Sequence, residues 1–383
     1  MRPMIFDKTS AVNLPCDLVE EEILSRLPVK FLLQFRCVCK SWNFLISDPR
    51  FAKKHLSMST TRRLYFVRHH SGRRTIPSCP LQCIFTTVSN NITQVEYPPS
   101  YHFDYPKHVI VGSCNGILCL VNDPLFRVDD TSIVVLWNPS LRKVKELPQP
   151  SYPNLSIRAI SYGFGYDFAT DNYKVVAVLT YKVGILLEKA VVMINTLGTN
   201  FWKDMKNFPF DSILVNFQPG RFVSGAIHWL ASKCRFNGPC FIVSLDLGTE
   251  SYQKFPLPDC GDGDQVSRIL LRVCVLKDCL CFISGHDVWI MKEYGNKESW
   301  IKLFSLSYMG EPSIYNFLVN AVYMFEDGQV LFESSEDGYL KICVHDPTIG
   351  TIKYIKFQDK SVYDHVFDRC PFNCIESLIS SCF

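Results

Sequence analysis

At 383 residues, with 47% hydrophobic and 13% aromatic side chains, the chain carries enough apolar material for a sizeable core, which excludes the disordered class. Its 40 Lys and Arg against 37 Asp and Glu leave a net charge of only +3, without the concentrated basic face that a nucleic-acid binder needs. The N-terminal MRPMIFDKTSAVNLP lacks an apolar stretch of signal-peptide length, and no run approaches the roughly 18 apolar residues of a membrane span, so a soluble protein of the cytoplasm or nucleus is expected.

The first elements read as helices. Pro15 and Asp17 suit a first helical turn, where a missing N–H is harmless and a carboxylate favours the dipole. Leu18, Val19, Ile23, Leu24 and Leu27 then form an apolar face, and Pro28 ends the helix by forcing Leu27 out of helical geometry. A second helix is expected from about Lys30 to Ile46. It carries two adjacent stripes: Phe31, Phe35, Val38, Trp42 and Leu45 on one, and Leu32, Phe35, Cys39, Trp42 and Ile46 on the other. Asp48 and Pro49 read as N-cap and first position of a third helix reaching about Leu56. Two stripes mean two contact surfaces. So small a module buries a marginal core, and each large apolar side chain left in water forgoes roughly 1.5–3 kcal/mol. One stripe holds the module together and the other is left for a partner.

A linker at 57–63 is expected to follow, running into a basic stretch of Arg62, Arg63, Arg68, Arg73 and Arg74 with His69 and His70. This stretch lacks the interleaved aromatic platform of a single-strand binder and reads as solvated surface. From residue 64 the periodicity becomes strand-like. Short apolar runs such as GILCLVN, SIVVLWNP, YKVVAVLTY, CFIVSLDL and YLKICVHDP alternate with Gly, Pro, Asn and Asp turn signals. Several are apolar at consecutive positions, as in strands covered on both faces. A repeat underlies them: a strand ending in a polar residue, a turn, then a restarting strand, anchored on Asn91, Asn138, Asn195, Asp246, Glu293 and Asp346. The mean spacing is about 51 residues, against a four-stranded kelch-type propeller blade of about 50. Six copies predict an all-β, kelch-like propeller of about six blades, with a core separate from that of the helices. A two-sheet β-sandwich is the alternative, because no Gly-Gly pair of true kelch repeats occurs.

Seventeen scattered cysteines without a CxxC pair read as small buried hydrophobes rather than metal ligands or disulfides. GxSxG, GxxxxGK[ST], HExxH and calcium-loop patterns are absent, and the acidic turn beginning at Asp259 (DCGDGD) lacks a closing Glu. The sequons at Asn91 and Asn154 carry no weight without a secretory signal. His228, set among apolar residues in GAIHWLA, reads as a core histidine. No catalytic residue, metal or cofactor is assigned.

The run LPCDLVEEEILSRLPVK, followed by FRCVCKSW and LISDPRF, resembles the F-box of plant F-box proteins. GSCNGILCL, LWNPSLRKVKELP, GFGYDFATDNYKVVAV, GAIHWLA and ESLIS resemble the F-box-associated interaction domain of F-box/kelch-repeat proteins. The resemblance implies an F-box at 8–56 and an associated propeller at 64–383. It further implies docking on a Skp-type adaptor, and through it on a cullin, by candidates Leu14, Pro15, Leu18, Ile23, Leu27, Pro28, Leu32, Cys39 and Trp42. Some of these must serve the core instead. The implied role is non-catalytic: the substrate-recognition subunit of a Skp–cullin–F-box E3 ubiquitin ligase, bringing an unidentified target protein to ubiquitination and proteasomal degradation. The alternative is a non-ligase scaffold that also binds the adaptor. Neither nucleic acid nor membrane is an expected partner.

Overall fold

The computed structural model describes residues 19–66, 68–70, 73–85, 93–96, 108–122, 133–150, 157–183, 187–234, 238–260, 268–306, 317–336, 339–355 and 371–380. The described chain opens with helical turns at Val19–Ile23 and Leu24–Arg26. Leu27 is extended (φ −78°, ψ 146°), as Pro28 demands, and helix α1 follows at Val29–Phe35. The single helix expected over 30–46 is in fact two, because Cys39 is fully extended (φ −154°, ψ 164°) and caps α2, Lys40–Ser47. The break is held locally. The Val38 amide donates to the Phe35 carbonyl at 3.0 Å, and Arg36 Nε donates to Asn43 Oδ1 at 3.1 Å. Helix α3, Pro49–Met58, begins as its sequence requires, with the Asp48 carboxylate accepting from the Arg50 amide at 2.7 Å and Pro49 in the first turn. Its buried His55 donates from Nε2 to the Leu27 carbonyl at 2.8 Å, satisfying a group that the break before Pro28 leaves without a helical partner.

Of the segment 57–63, Ser57 and Met58 belong to α3 while Arg62 and Arg63 belong to the first strand. Six antiparallel sheets follow. Blade 2 is His108–Cys114, Ile117–Asn122, Val134–Asn138 and Lys143–Glu146. Blade 3 is Ile157–Asp167, Asn172–Val183, Leu187–Thr196 and Lys203–Asn207. Blades 5 and 6 span 271–305 and 317–354 in the same sequential order; blade 4, 213–255, differs in that Ile213–Leu214 and Arg221–Val223 both pair with Ala226–Ser232. Blade 1 is composite. Arg62–Tyr65 pairs on one side with Arg73–Pro80 and on the other with Phe372–Ile375, so a C-terminal strand supplies its innermost position and closes the ring. Arg62, Arg63, Arg68, Arg73 and Arg74 therefore belong to blade strands rather than to a linker. Closure removes the open edges a linear stack would present.

The sheets stack blade on blade, which explains the consecutive apolar runs: all five residues of Val134–Asn138 and all seven of Ala226–Ser232 are buried. Six radial sheets replace the sandwich alternative. The repeat anchors have a physical role, since each described one holds the turn between a blade's third and fourth strands. Asn138 Oδ1 accepts from the Ser140 amide at 2.8 Å, Asp246 Oδ1 from Thr249 at 2.7 Å and Asp346 Oδ1 from Thr348 at 2.9 Å. Asn195 donates to the Phe201 carbonyl at 2.9 Å, and Glu293 accepts from Asn296 at 2.9 Å. The sixth anchor, Asn91, lies outside the described residues.

The helices and the propeller do not have separate cores. Leu24, Val29, Leu32, Ile46, Phe51 and Ala52 belong to one buried cluster with Val109, Cys114, Ile117, Tyr162 and Phe164 of blades 2 and 3. Too few helical residues exist to enclose their own apolar faces, so one side is closed by the propeller. Lys53 of α3 forms an ion pair with Asp171 in the first turn of blade 3. No helix among the described residues is long and apolar enough to cross a membrane.

Candidate docking surface

With one side of the helices sealed against the blades, their remaining apolar side chains face outward. Ile23 is 44% exposed, Phe31 47%, Val38 61% and Phe44 78%. Val38 lies between the end of α1 and the break at Cys39, and Phe44 lies on α2. Behind them Phe35 and Trp42 are half-buried, with ring centroids 5.5 Å apart at 48°, and they brace α1 against α2. Covering the four exposed side chains would contribute about 3–6 kcal/mol, taking half the full-burial value for each. Lys30 and Lys40 are exposed on the same helices, while exposed Arg26 is paired with Glu22 at 2.8 Å.

The two sequence stripes separate here. Leu32 and Ile46 of the second are buried, whereas Phe31 and Val38 of the first are exposed. Among the nine candidates, Ile23, Pro28 and Cys39 are exposed, and Leu27 and Trp42 are half-buried. Leu32 is 0% exposed and belongs to the core, so it is withdrawn from the docking set; its helix face is the one turned to the propeller. Leu14, Pro15 and Leu18 lie outside the described residues. Phe31, Val38 and Phe44 were not among the candidates. The first two sit on one of the two stripes, which spacing alone could not assign to partner or core; Phe44 lies off both stripes, and only its position among Lys40, Ser41 and Asn43 marks it as outward-facing.

The propeller has two unlike faces. Turns between first and second strands and between third and fourth strands are on the side of the helices, as the Lys53 pairing with Asp171 shows. Several are tight, such as Asn115–Gly116 and Ser224–Gly225. The strand ends bordering the longer connections 97–107, 123–132, 256–270, 306–316 and 355–371 are on the opposite face.

His228 has no catalytic geometry. It is wholly buried, its Nδ1 donates to the Arg221 carbonyl at 3.1 Å, and its Nε2 accepts from the Tyr294 hydroxyl at 2.9 Å. Burial lowers its pKa to about 4, so it is neutral at pH 7. Burial pushes the Cys79 and Cys374 thiols up to about 12, which leaves them protonated and unreactive. No group of three or more His, Cys, Asp or Glu among the described residues is placed to hold a metal ion.

Comparison with known proteins agrees with this geometry. Residues 13–54 match the F-box domain, and residues 57–381 match the F-box associated beta propeller domain. The chain is similar to an F-box/kelch-repeat protein of Arabidopsis thaliana, 31% identical over 77% of this chain and 79% of that protein. It is also similar to the F-box protein CPR1 of Arabidopsis thaliana, 28% identical over 84% of this chain and 79% of that one. A further Arabidopsis thaliana F-box protein is 26% identical over 90% of this chain and 88% of its own length.

Proposed function

The chain belongs to the F-box proteins that carry an F-box associated β-propeller domain, and from that premise we propose that it is the substrate-recognition subunit of a Skp–cullin–F-box ubiquitin ligase. The observation that carries this reading is the outward apolar surface of Ile23, Phe31, Val38 and Phe44, on helices whose other side is already sealed. Large apolar side chains left exposed on so short a segment support a protein contact, and because an F-box implies a Skp-type adaptor, that adaptor would be the partner and the cullin would be reached through it.

The target protein would be bound at the face opposite the helices, on the side of the strand ends that the longer connections join; such connections carry specificity on a rigid scaffold. The shared core makes the two ends one body, so the direction from adaptor to target is fixed rather than left to a linker. The subunit's contribution is proximity. It raises the effective concentration of a target lysine at a ubiquitin thioester carried by another subunit, and needs no catalytic residue of its own. It would act in the cytoplasm or nucleus, where that machinery operates.

Target lifetime tests this reading in cells expressing the full chain or its Phe44→Ser variant. The natural chain should shorten the half-life of a protein captured by the propeller, and the variant, which still captures it, should lengthen that half-life. Equal lifetimes despite capture would favour the non-ligase scaffold.

A further inference from the structure

The C-terminal tail, residues 376–380, leaves the closing strand Phe372–Ile375 beside the exit of α3. The Glu376 amide donates to the Thr61 carbonyl at 2.9 Å, Ser59 Oγ donates to the Glu376 carbonyl at 3.3 Å, and the Glu376 carboxylate is 3.6 Å from Arg63. The tail is then bonded to blade 2, where Ser377 Oγ donates to the Asn115 carbonyl at 2.7 Å and Lys143 Nζ donates to Ser380 Oγ at 3.2 Å. Between these bonds Leu378 and Ile379, each 7% exposed, enter the buried cluster that also holds Leu24, Val29, Leu32 and Ile46 of the helices.

The sealed side of the helices is therefore closed by two stretches of chain, blades 2 and 3 and the tail. Ser59 and Glu376, which join α3 to the tail, are 317 residues apart in sequence. Helices that bury only a marginal core of their own take their position from what covers them. Removing the tail's two apolar side chains leaves a cavity in that seat and loosens the docking. Only helices seated with Leu32 and Ile46 inward present Ile23, Phe31, Val38 and Phe44 outward together. A partner that binds this one arrangement loses affinity in proportion to the fraction of molecules that leave it.

We infer that the tail is a latch that couples closure of the propeller ring to display of the adaptor surface. The helices precede the blades in the chain, yet they become competent to bind only when the tail is seated, so a chain whose ring is open does not engage the adaptor. This inference rests on the adaptor reading of the outward surface and adds a condition to it.

Adaptor affinity by calorimetry, and hydrogen exchange, compared between the natural full chain, its Leu378→Ala, Ile379→Ala double variant and its Ile283→Ala variant, test the coupling. Ile283 is fully buried in blade 5, in a cluster that the helices do not share, so its change destabilises the propeller without touching their seat. The double variant should bind a Skp-type adaptor about tenfold or more weakly. Its α1–α3 amides should exchange about tenfold or more faster, with those of blade 5 unchanged. Ile283→Ala should leave both adaptor affinity and helix exchange at their natural values. If the double variant does not fold, Ile379→Ala alone supplies the same comparison. Undiminished adaptor affinity in the folded tail variant would overturn the inference, and so would an equal loss of affinity with Ile283→Ala. A natural chain that ignored the adaptor would overturn the adaptor reading instead. Helix exchange would then decide the latch: faster exchange in the tail variant supports it, and natural exchange overturns it.

Discussion

Asn138, at the end of the third strand of blade 2, donates from Nδ2 to the carbonyl of Ile379 at 2.6 Å and so ties the C-terminal tail to a strand 241 residues away in sequence. The same amide reaches the Ser377 carbonyl at 3.1 Å, while its oxygen caps the turn at Ser140 and Leu141. Ser377 in turn donates to the Asn115 carbonyl at 2.7 Å and lies so close to Gly116 (φ 84°) that a Cβ there would fall 2.1 Å from its hydroxyl. Ring closure thus continues past the strand pair of blade 1 into a clasp on blade 2.

Replacing Asn138 by Ala would leave the Ile379 and Ser377 carbonyls and two turn amides without their partner in a fully buried site. The expected loss is about 2–4 kcal/mol, read as a lower urea midpoint with an unchanged slope. A variant as stable as the natural chain would show that the tail is not clasped.

Deletion from Val362 onward removes Phe372–Ile375, the innermost strand of blade 1, together with the clasp. Arg62–Tyr65 would then present an open edge, and the buried faces of Leu64 and Tyr65 would be exposed. Size-exclusion chromatography should show aggregates. A monomeric truncation that melts cooperatively would contradict ring closure.

Much of this was legible in the sequence because its causes are local. Pro28 and Asp48 act within their own turn, and the repeat anchors recur because each blade needs a polar side chain to hold its last hairpin. The break at Cys39 was not legible: no Pro or Gly marks it, and its extended backbone is stabilised by Arg36 reaching Asn43 and by packing of α1 and α2 on the blades. Sorting Leu32 from Phe31 failed for a related reason, since periodicity places residues on stripes but does not say which stripe a distant blade will cover. The closing strand has no repeat anchor of its own, although ESLIS next to it carries the residues that bond to Asn115 and Asn138.

Blades 3 and 4 are joined by a charged cluster with a defined pH window. Lys174 Nζ is 3.0 Å from Asp167 and 3.1 Å from Glu250, and donates to the Leu247 carbonyl at 2.6 Å, with its own side chain only 6% exposed. Burial alone would raise the Asp167 and Glu250 pKa values, but hydrogen bonds from Thr170, Lys174 and the Ala169 amide to Asp167, and from Lys203 and Lys174 to Glu250, together hold both below the ordinary carboxylate range. A depressed carboxylate contributes stability above its unfolded pKa of about 4, and that contribution is lost as the pH falls through the lower folded value. Burial likewise opposes the charge on Lys174, and its two carboxylate partners outweigh it, so its contribution is present below about 10.5 and lost as the pH rises through the higher folded value. Lys174→Met should cost about 3–5 kcal/mol at neutral pH, because it strands Asp167 as a buried charge. It should also lessen the fall in stability on acidification, measured by thermal melting across the acid range. An unchanged acid profile would show that Lys174 does not hold these carboxylates ionised.

The most direct test is the affinity of the full chain for a Skp-type adaptor, compared with that of the Val38→Ser, Phe44→Ser double variant. Both side chains are exposed, so the variant should melt within about 0.5 kcal/mol of the natural chain. If they form the adaptor contact, calorimetry should show affinity falling by about tenfold or more, the loss expected from leaving two apolar anchors unburied. Undiminished affinity in a variant of unchanged stability would contradict the assignment of this surface to the adaptor.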